Sequence, residues 1–200
     1  AGIAQASNPG VDPNSVTVTL SPGASTTVNK VVHTPPIPPK PDVFFLSDTT
    51  GSMGPTIANV QANISNIMST VLTAQSQSEF GAGQYKDQLN CSFDPFSYNL
   101  DQAITANTAA VQAAMGTWSA SGGCDTPESQ LYALQTLASS AATGFRPGST
   151  RIVVWFGDSN GHDPDGPATL ASTIAALQAA NIKVIAIPVN SGGGNGLDNG

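Results

Sequence analysis

One short stretch combines residue types that bind metal ions. Asp48, Thr50 and Ser52 occupy alternate positions directly after the apolar run at residues 43–46. Their carboxylate and hydroxyl oxygens are hard donors, and the stretch contains neither sulfur nor imidazole. Such a donor set favours Mg²⁺, Mn²⁺ or Ca²⁺ over zinc. The apolar run predicts a buried strand, and a glycine followed by Pro55 predicts a turn into a helix.

Two further acidic groups occur at comparable positions along the chain. Asp125 and Glu128 precede a helical pattern, and Asp158 follows an apolar strand pattern. In open α/β sheets such positions converge on one edge, so we expect these carboxylates to meet the first stretch. The stretch at residues 121–128 is called the acidic loop below. Capping explains part of it equally well, since Thr126 can cap the following helix with Pro127 in its first turn.

The spacing of apolar residues predicts the elements that position these groups. Strands are predicted at 43–46, 80–87, 151–156 and 182–189, and residues 88–98 read as irregular. Helices are predicted from Pro55 (Ile57, Val60, Ile64, Ile67, Val71), over 105–118, at Leu131, Leu134 and Leu137, and from Pro167 (Leu170, Ile174, Leu177). This order predicts an α/β fold, a doubly wound, mostly parallel sheet with helices on both faces.

The first 41 residues form a separate β segment in this interpretation. Residues 1–14 lack periodicity, residues 15–20 alternate, and 26–33 are rich in Val and Thr. A Ser-Pro-Gly-Ala turn between them predicts a hairpin or two strands of a sandwich. A proline-rich linker then leads into the domain at 42–200. Because so few residues cannot bury a core, we expect these strands to pair with sequence beyond residue 200 or with another chain.

Composition excludes several classes of partner. Six Lys and Arg against thirteen Asp and Glu give a net charge of −7, which disfavours nucleic acid and anionic lipid. No apolar run approaches the ~20 residues of a membrane helix, so we expect no membrane insertion. Only 10% of residues are charged, a composition typical of exported proteins, so we expect a secreted or cell-surface location. Cys91 and Cys124 allow one disulfide or two free thiols.

The Asp48-x-Thr50-x-Ser52 pattern resembles the metal-ion-dependent adhesion site of von Willebrand factor A domains. With the acidic loop and Asp158, the resemblance extends over residues 42–189 and is greatest to integrin β subunits and their bacterial secreted relatives. That fold normally continues with another helix and an edge strand after the strand at 182–189. The resemblance therefore implies a domain lacking its last helix and strand.

The resemblance also implies a function. It assigns Mg²⁺ or Mn²⁺ to a site that binds an acidic group of a partner, which is adhesion without catalysis. The implied ligands are Asp48, Thr50, Ser52, Glu128 and Asp158. Direct binding by all three carboxylates would leave the site at −1 and repel an acidic ligand. One or two of them are therefore expected to bind through water.

A second cation site is implied by the same resemblance. In integrin β subunits a strand ending in Asp, here Asp87, holds another cation with an Asp-x-Pro-Glu loop. The implied ligands for Ca²⁺ are Asp87, Asp125, the Pro127 carbonyl and Glu128. The family's Asn in this loop is Gly123 here. Pro55 and Thr56 replace acidic residues of the family's adjacent regulatory site, which we expect to be absent.

Two other residue groups lie near the implied metal edge. His162 follows Asp158 in its loop, and we interpret it as a hydrogen-bonded group supporting a carboxylate rather than a catalytic base. We expect Cys91 and Cys124 to form a disulfide, because the chain looks exported and both lie in loops beside this edge.

An enzymatic alternative comes from a different family. Asp48-Thr-Thr-Gly-Ser also resembles the phosphorylation motif of P-type ATPases, in the haloacid-dehalogenase-like fold. Asp48 would then be a nucleophile and Asp158 a Mg²⁺ ligand. Thr49 replaces the motif's Lys, however, and no Lys lies between Lys86 and Asp158. We therefore expect a binding domain and not an enzyme.

Overall fold

The chain forms two compact units, one within residues 1–38 and the other within residues 39–200. The computed structural model describes residues 10–12, 16–29, 31–33 and 40–189. In the first unit, strand β1 (Gly10–Asp12) pairs antiparallel with β2 (Val31–His33).

The predicted N-terminal hairpin is correct at its turn and wrong along most of its strands. The backbone N–H of Ala24 donates to Ser21 O at 3.0 Å, which closes the expected turn. Residues 16–29 form no strand, and the strand at 10–12 falls where a loose terminus was expected. The alternating Val16, Val18 and Leu20 are all exposed, so their alternation buries no face. Residues 1–9 lie outside the described part of the chain.

The second unit is a mostly parallel sheet, as predicted. Its strands are β3 (Pro41–Asp48), β4 (Glu79–Tyr85), β5 (Tyr98–Thr105), β6 (Thr150–Gly157) and β7 (Ile182–Pro188). The strand order is β5-β4-β3-β6-β7, and only β5 runs antiparallel to its neighbour. All eight residues of β3 are buried because it lies at the centre of the sheet.

Helices cover both faces of this sheet. They are α1 (Gly54–Ala74), α2 (Thr108–Met115), α3 (Gln130–Ser139) and α4 (Leu170–Ala179). Because side chains alternate along a strand, Val43 and Phe45 pack with α1 and α2, whereas Phe44 and Leu46 pack with α3. The doubly wound α/β prediction is therefore confirmed. No helix among the described residues combines the length and the apolar character needed to cross a bilayer.

Helix boundaries differ from the predictions in three places. Helix α3 begins at Gln130, so Thr126 does not cap it and Pro127 lies before its first turn. Helix α4 begins at Leu170 and not at Pro167, because a capping box between Thr169 and Ser172 sets its start. Helix α2 is shorter than predicted, since its flanks belong to β5 and to a turn.

Helix α1 begins near Pro55, as predicted, but its buried face differs by one position. Ile57, Val60 and Ile64 are buried, and the next buried residue is Met68, whereas Ile67 is exposed.

Strand β5 was not predicted, because its polar residues obscure its alternation. Tyr98, Leu100 and Ile104 pack against one core, but Asp101 lies between them in the sequence. The Asp101 carboxylate points to the other face, where it accepts hydrogen bonds from Trp118 Nε1 at 2.8 Å and from Gln84 Nε2 at 3.0 Å. A half-buried edge strand with satisfied polar groups carries little periodic signal.

Candidate metal centre

The Asp48 carboxylate lies at the carboxyl end of β3 and is fully buried. Its Oδ1 accepts hydrogen bonds from the Thr50 backbone N–H at 2.8 Å and from the Thr50 hydroxyl at 2.7 Å. Its Oδ2 has no hydrogen-bond partner within the described chain. One oxygen is thus fixed by the loop, and the other remains available to a cation.

The loop after β3 turns directly into α1. Residues Gly51–Met53 form a single 3₁₀ turn, and the Gly51 N–H donates to Gly122 O at 3.1 Å, which joins this loop to the acidic loop. Ser52 is exposed and lines the mouth of a cleft of about 150 Å³. The cleft is lined by Thr50, Gly51, Ser52, Gly122, Gly123, Asp125, Thr126, Glu128 and Ser159.

Glu128 is held in place by a short bridge between two loops. Its backbone N–H donates to Asn160 O at 3.0 Å, and the His162 N–H donates to Glu128 O at 3.1 Å. The buried side chain lies beside Thr50, since a Cβ on Gly123 would be 3.0 Å from both Glu128 Oε1 and Thr50 Cβ. Its Oε2 has no hydrogen-bond partner among the described residues. The structure thus brings Glu128 to Thr50 although it lies outside α3.

Asp158 follows the last residue of β6 and is buried. Its negative charge contributes to raising the pKa of Asp48, which places it beside the first loop. The five residues predicted for the main site therefore converge on one edge of the sheet. Their metal binding stays a prediction.

Burial dominates the electrostatics of this edge. It raises the pKa of Asp48 to about 7, against the opposing hydrogen bonds from Thr50. Burial, followed by the charge of Asp48, raises the pKa of Glu128 to about 9. Carboxylates in a low-dielectric site are unstable as anions unless a positive charge compensates them. Oxygen donors with unused lone pairs fit a hard divalent ion such as Mg²⁺.

The Lys86 side chain joins two loops of the candidate site, and the sequence analysis assigned it no role. Its side chain is buried, and its ammonium donates to the backbone carbonyls of Thr49, of Ser121 at 2.5 Å and of Ser119 at 3.3 Å. Burial lowers its pKa, whereas the negative charges of Asp94 and Asp48 raise it. One ammonium thereby joins the Asp48 loop to the acidic loop. A single Lys carries no spacing pattern that reveals such contacts.

The acidic loop is fastened at two further points. Cys91 and Cys124 form a disulfide with a Cα–Cα distance of 5.5 Å, as predicted. The Asp94 carboxylate accepts from the Gly123 N–H at 3.0 Å. Gly122 has φ of +78°, and a Cβ there would lie 1.6 Å from Asp94 Oδ1, so only glycine fits.

Of the residues predicted for the second cation site, Asp87 and Asp125 come together in the structure. Asp87 is fully buried, and its Oδ1 accepts from Asn90 Nδ2 at 2.9 Å and from Ser129 Oγ at 3.0 Å. Burial raises its pKa, against these two hydrogen bonds. Asp87 and Asp125 come together with His162.

The other two residues of that prediction lie differently. The Glu128 carboxylate lies beside Thr50 in the main site, and Pro127 is half-buried in the loop that precedes Glu128. The sequence interpretation gave His162 a supporting role, and the structure places it directly beside the Asp87 and Asp125 carboxylates.

The fold and its acidic edge define a doubly wound α/β domain with a hydroxyl- and carboxylate-lined cleft at the carboxyl ends of its central strands. A family model described as integrin beta-like protein A-E, vWA-like, matches residues 10–195, so the chain belongs to that vWA-like family. A search of curated proteins gave no significant match. The family suggests a role in adhesion or ligand binding, and its extracellular character and the disulfide are compatible with secretion.

Proposed function

We propose that this chain is a metal-dependent ligand-binding domain of a secreted or cell-surface protein. In this proposal Mg²⁺ or Mn²⁺ binds at the cleft and receives a carboxylate from a partner protein or other ligand. The ligands are Asp48, Thr50, Ser52, Glu128 and Asp158. The domain binds neither nucleic acid nor the membrane interior and catalyses no reaction.

One observation carries the proposal. The buried carboxylates of Asp48 and Glu128 each have an oxygen without a hydrogen-bond partner in the described chain, and both lie beside Thr50. Leaving such groups unpaired costs several kcal/mol in general, which a bound cation offsets. The cleft beside them admits an ion, its waters and one ligand group.

The roles of the five residues follow from their positions. Thr50 and Ser52 supply neutral hydroxyls, which leave the ion electron-poor toward an incoming carboxylate. The buried carboxylates of Asp48 and Glu128 supply most of the negative charge that compensates the ion, and Asp158 orients the ion or its waters. The ion supplies the positive charge that an acidic partner recognises.

The phosphotransfer alternative gains no support from Lys86. An enzyme of that kind needs a cation facing the transferred phosphoryl group. The Lys86 ammonium instead donates to three backbone carbonyls beneath the loop.

The first test combines metal binding with a search for phosphorylation. We expect calorimetry to show saturable binding of Mg²⁺ or Mn²⁺. We expect no phosphoryl group on Asp48 after incubation with Mg²⁺ and acetyl phosphate. A stoichiometric, hydroxylamine-sensitive phosphoryl group on that residue would replace the binding proposal with the enzymatic one.

The ligand class is tested on a peptide array. Peptides with free Asp or Glu side chains should bind in Mg²⁺ and be released by EDTA, while their amide counterparts should not bind. Equal retention of both sets would contradict recognition of a carboxylate.

A further inference from the structure

A second cluster of ligand atoms lies beside the main site and is built from three loops. Asp87 follows β4, Asp125 lies in the acidic loop, and His162 lies in the loop after β6. His162 Nε2 is 3.4 Å from Asp87 Oδ2 and 3.3 Å from Asp125 Oδ1. One ligand atom of each residue lies within 4.8 Å of the others.

These contacts are too long for strong hydrogen bonds. Charge-assisted N–H···O bonds measure about 2.7–2.9 Å. Among the described residues, neither His162 Nε2 nor Asp87 Oδ2 has a hydrogen-bond partner, although Asp87 is fully buried. A buried carboxylate normally satisfies both oxygens, so an Oδ2 that makes no hydrogen bond and lies 3.4 Å from an imidazole nitrogen is suited to bind a cation.

The two distances from His162 Nε2 match the spacing of ligand atoms around a tetrahedral ion. Zinc bonds to nitrogen and carboxylate oxygen of about 2.0–2.2 Å place neighbouring ligand atoms of a tetrahedron about 3.3–3.6 Å apart. Both distances from His162 Nε2 lie in this range. The Asp87 carboxylate is also oriented for this role, because Asn90 and Ser129 occupy its other oxygen.

We propose that Asp87, Asp125 and His162 form a site for Zn²⁺ or a similar divalent transition ion. An imidazole ligand favours such ions, whereas Ca²⁺ prefers six to eight oxygen ligands. The two carboxylates balance the charge of the ion, and a fourth position remains for water. This ligand set differs from the expected Ca²⁺ set, since the Glu128 carboxylate lies beside Thr50 in the main site.

An ion here joins three loops that also form the main site. Asp125 is 52% exposed on its side chain and lines the cleft of the main site. A cation bound to it neutralises an exposed negative charge at the rim that an acidic ligand must approach. This last consequence rests on the proposed function, whereas the ion site does not.

The experiment titrates Zn²⁺ into the full chain with Mg²⁺ at saturation, followed by calorimetry, and repeats the titration with Co²⁺, followed by its visible absorption. The chain contains two histidines, so His33→Gln is the matched control for His162→Gln. We expect one Zn²⁺ site in the wild type and in the control. We expect affinity to fall at least about tenfold in His162→Gln, as even supporting contacts of metal ligands contribute that much.

A second variant distinguishes the loss of a metal ligand from the loss of the fold. Asp125 is exposed, so Asp125→Asn should preserve the fold, which circular dichroism checks, and should weaken Zn²⁺ binding in the same way. Wild-type Zn²⁺ affinity in His162→Gln, or equal affinity of the wild type for Ca²⁺ and Zn²⁺, would overturn the proposal. Thr50→Val should lose Mg²⁺ affinity and keep the Zn²⁺ site, which separates this proposal from the main one.

Discussion

Thr50→Val tests the proposed main site, with Thr49→Val as its matched control. The two threonines are adjacent and both are buried, but their hydroxyls have different partners. The Thr50 hydroxyl donates to Asp48 Oδ1 at 2.7 Å, at the site. The Thr49 hydroxyl lies near Gln84 Oε1 at 3.0 Å and Tyr85 O at 3.2 Å, on the neighbouring strand. Valine preserves the shape and β-branching of threonine in both variants.

The two variants are expected to differ in their affinity for Mg²⁺. Thr50→Val removes one neutral ligand, which we expect to weaken Mg²⁺ binding by about 1–3 kcal/mol, or roughly 5- to 150-fold. It also removes the hydrogen bond to Asp48 Oδ1, so the free energy of unfolding should fall in this variant as well. Thr49→Val removes hydrogen bonds within the sheet, which we expect to lower the free energy of unfolding by about 1–2 kcal/mol. Its Mg²⁺ affinity should stay within about twofold of the wild type.

Two measurements decide the outcome. Calorimetric titration with Mg²⁺ gives the affinity of each variant, and thermal unfolding with and without Mg²⁺ gives stability. Equal loss of affinity in the two variants would mean that loop distortion explains the effect. Unchanged affinity in Thr50→Val would remove its hydroxyl from the ligand set.

Three more predictions concern pH, loop geometry and the disulfide. Because the pKa values of Asp48 and Glu128 are raised above their ordinary values of 3.8 and 4.5, the stability they give the metal-free fold is full below pH about 4 and lost as pH rises through about 7 and 9. Mg²⁺ affinity should rise over the same window, by up to about tenfold per pH unit for each proton displaced, as titrations at several pH values will show. Gly122→Ala should destabilise the fold by about 2 kcal/mol or more in denaturant unfolding, through its φ and its clash with Asp94, whereas Gly148→Ala, with φ of +72° and no neighbour within 4 Å, should lose only the backbone part. Reduction of the disulfide, whose cysteines are 33 residues apart, should lower the unfolding free energy by about 3–4 kcal/mol, and detection of free thiols in unreduced protein would contradict the pairing.

The central strands and the order of elements were predictable because their signals are local. Residues 43–46 and 151–156 are continuous apolar runs, and strands buried on both faces need such runs. Ile57, Val60 and Ile64 follow helical spacing because one face of α1 packs on the sheet. The doubly wound order then follows from the alternation of these patterns.

Other parts of the fold depend on contacts that no local pattern encodes. Strand β5 is stabilised by pairing with β4 and by hydrogen bonds to Asp101, which come from residues distant in sequence. The start of α3 was misplaced because Thr126 and Pro127 fit a cap equally well. The bridge from Glu128 to Gly161 instead holds that segment extended.

The residues of the candidate site were likewise predictable only where their pattern is local. Asp48, Thr50 and Ser52 were accessible because they lie within one short loop after a recognisable strand. The contacts of Lys86 and His162 were not predicted from the sequence, because their partners come from separate loops. The role of a single Lys or His can be recognised only when the fold brings its partners from several loops together.

The Lys86 ammonium has a consequence for how such a domain responds to metal concentration. It joins the Asp48 loop and the acidic loop through backbone carbonyls, by contacts that involve none of the proposed ligand side chains. Under the proposed function, the ion therefore enters loops that are already ordered and has no folding step to drive. The apparent affinity for Mg²⁺ should then equal the intrinsic affinity of the site, because no part of the binding free energy is used to order the loops. Such a domain takes up the ion at concentrations set by its ligands alone.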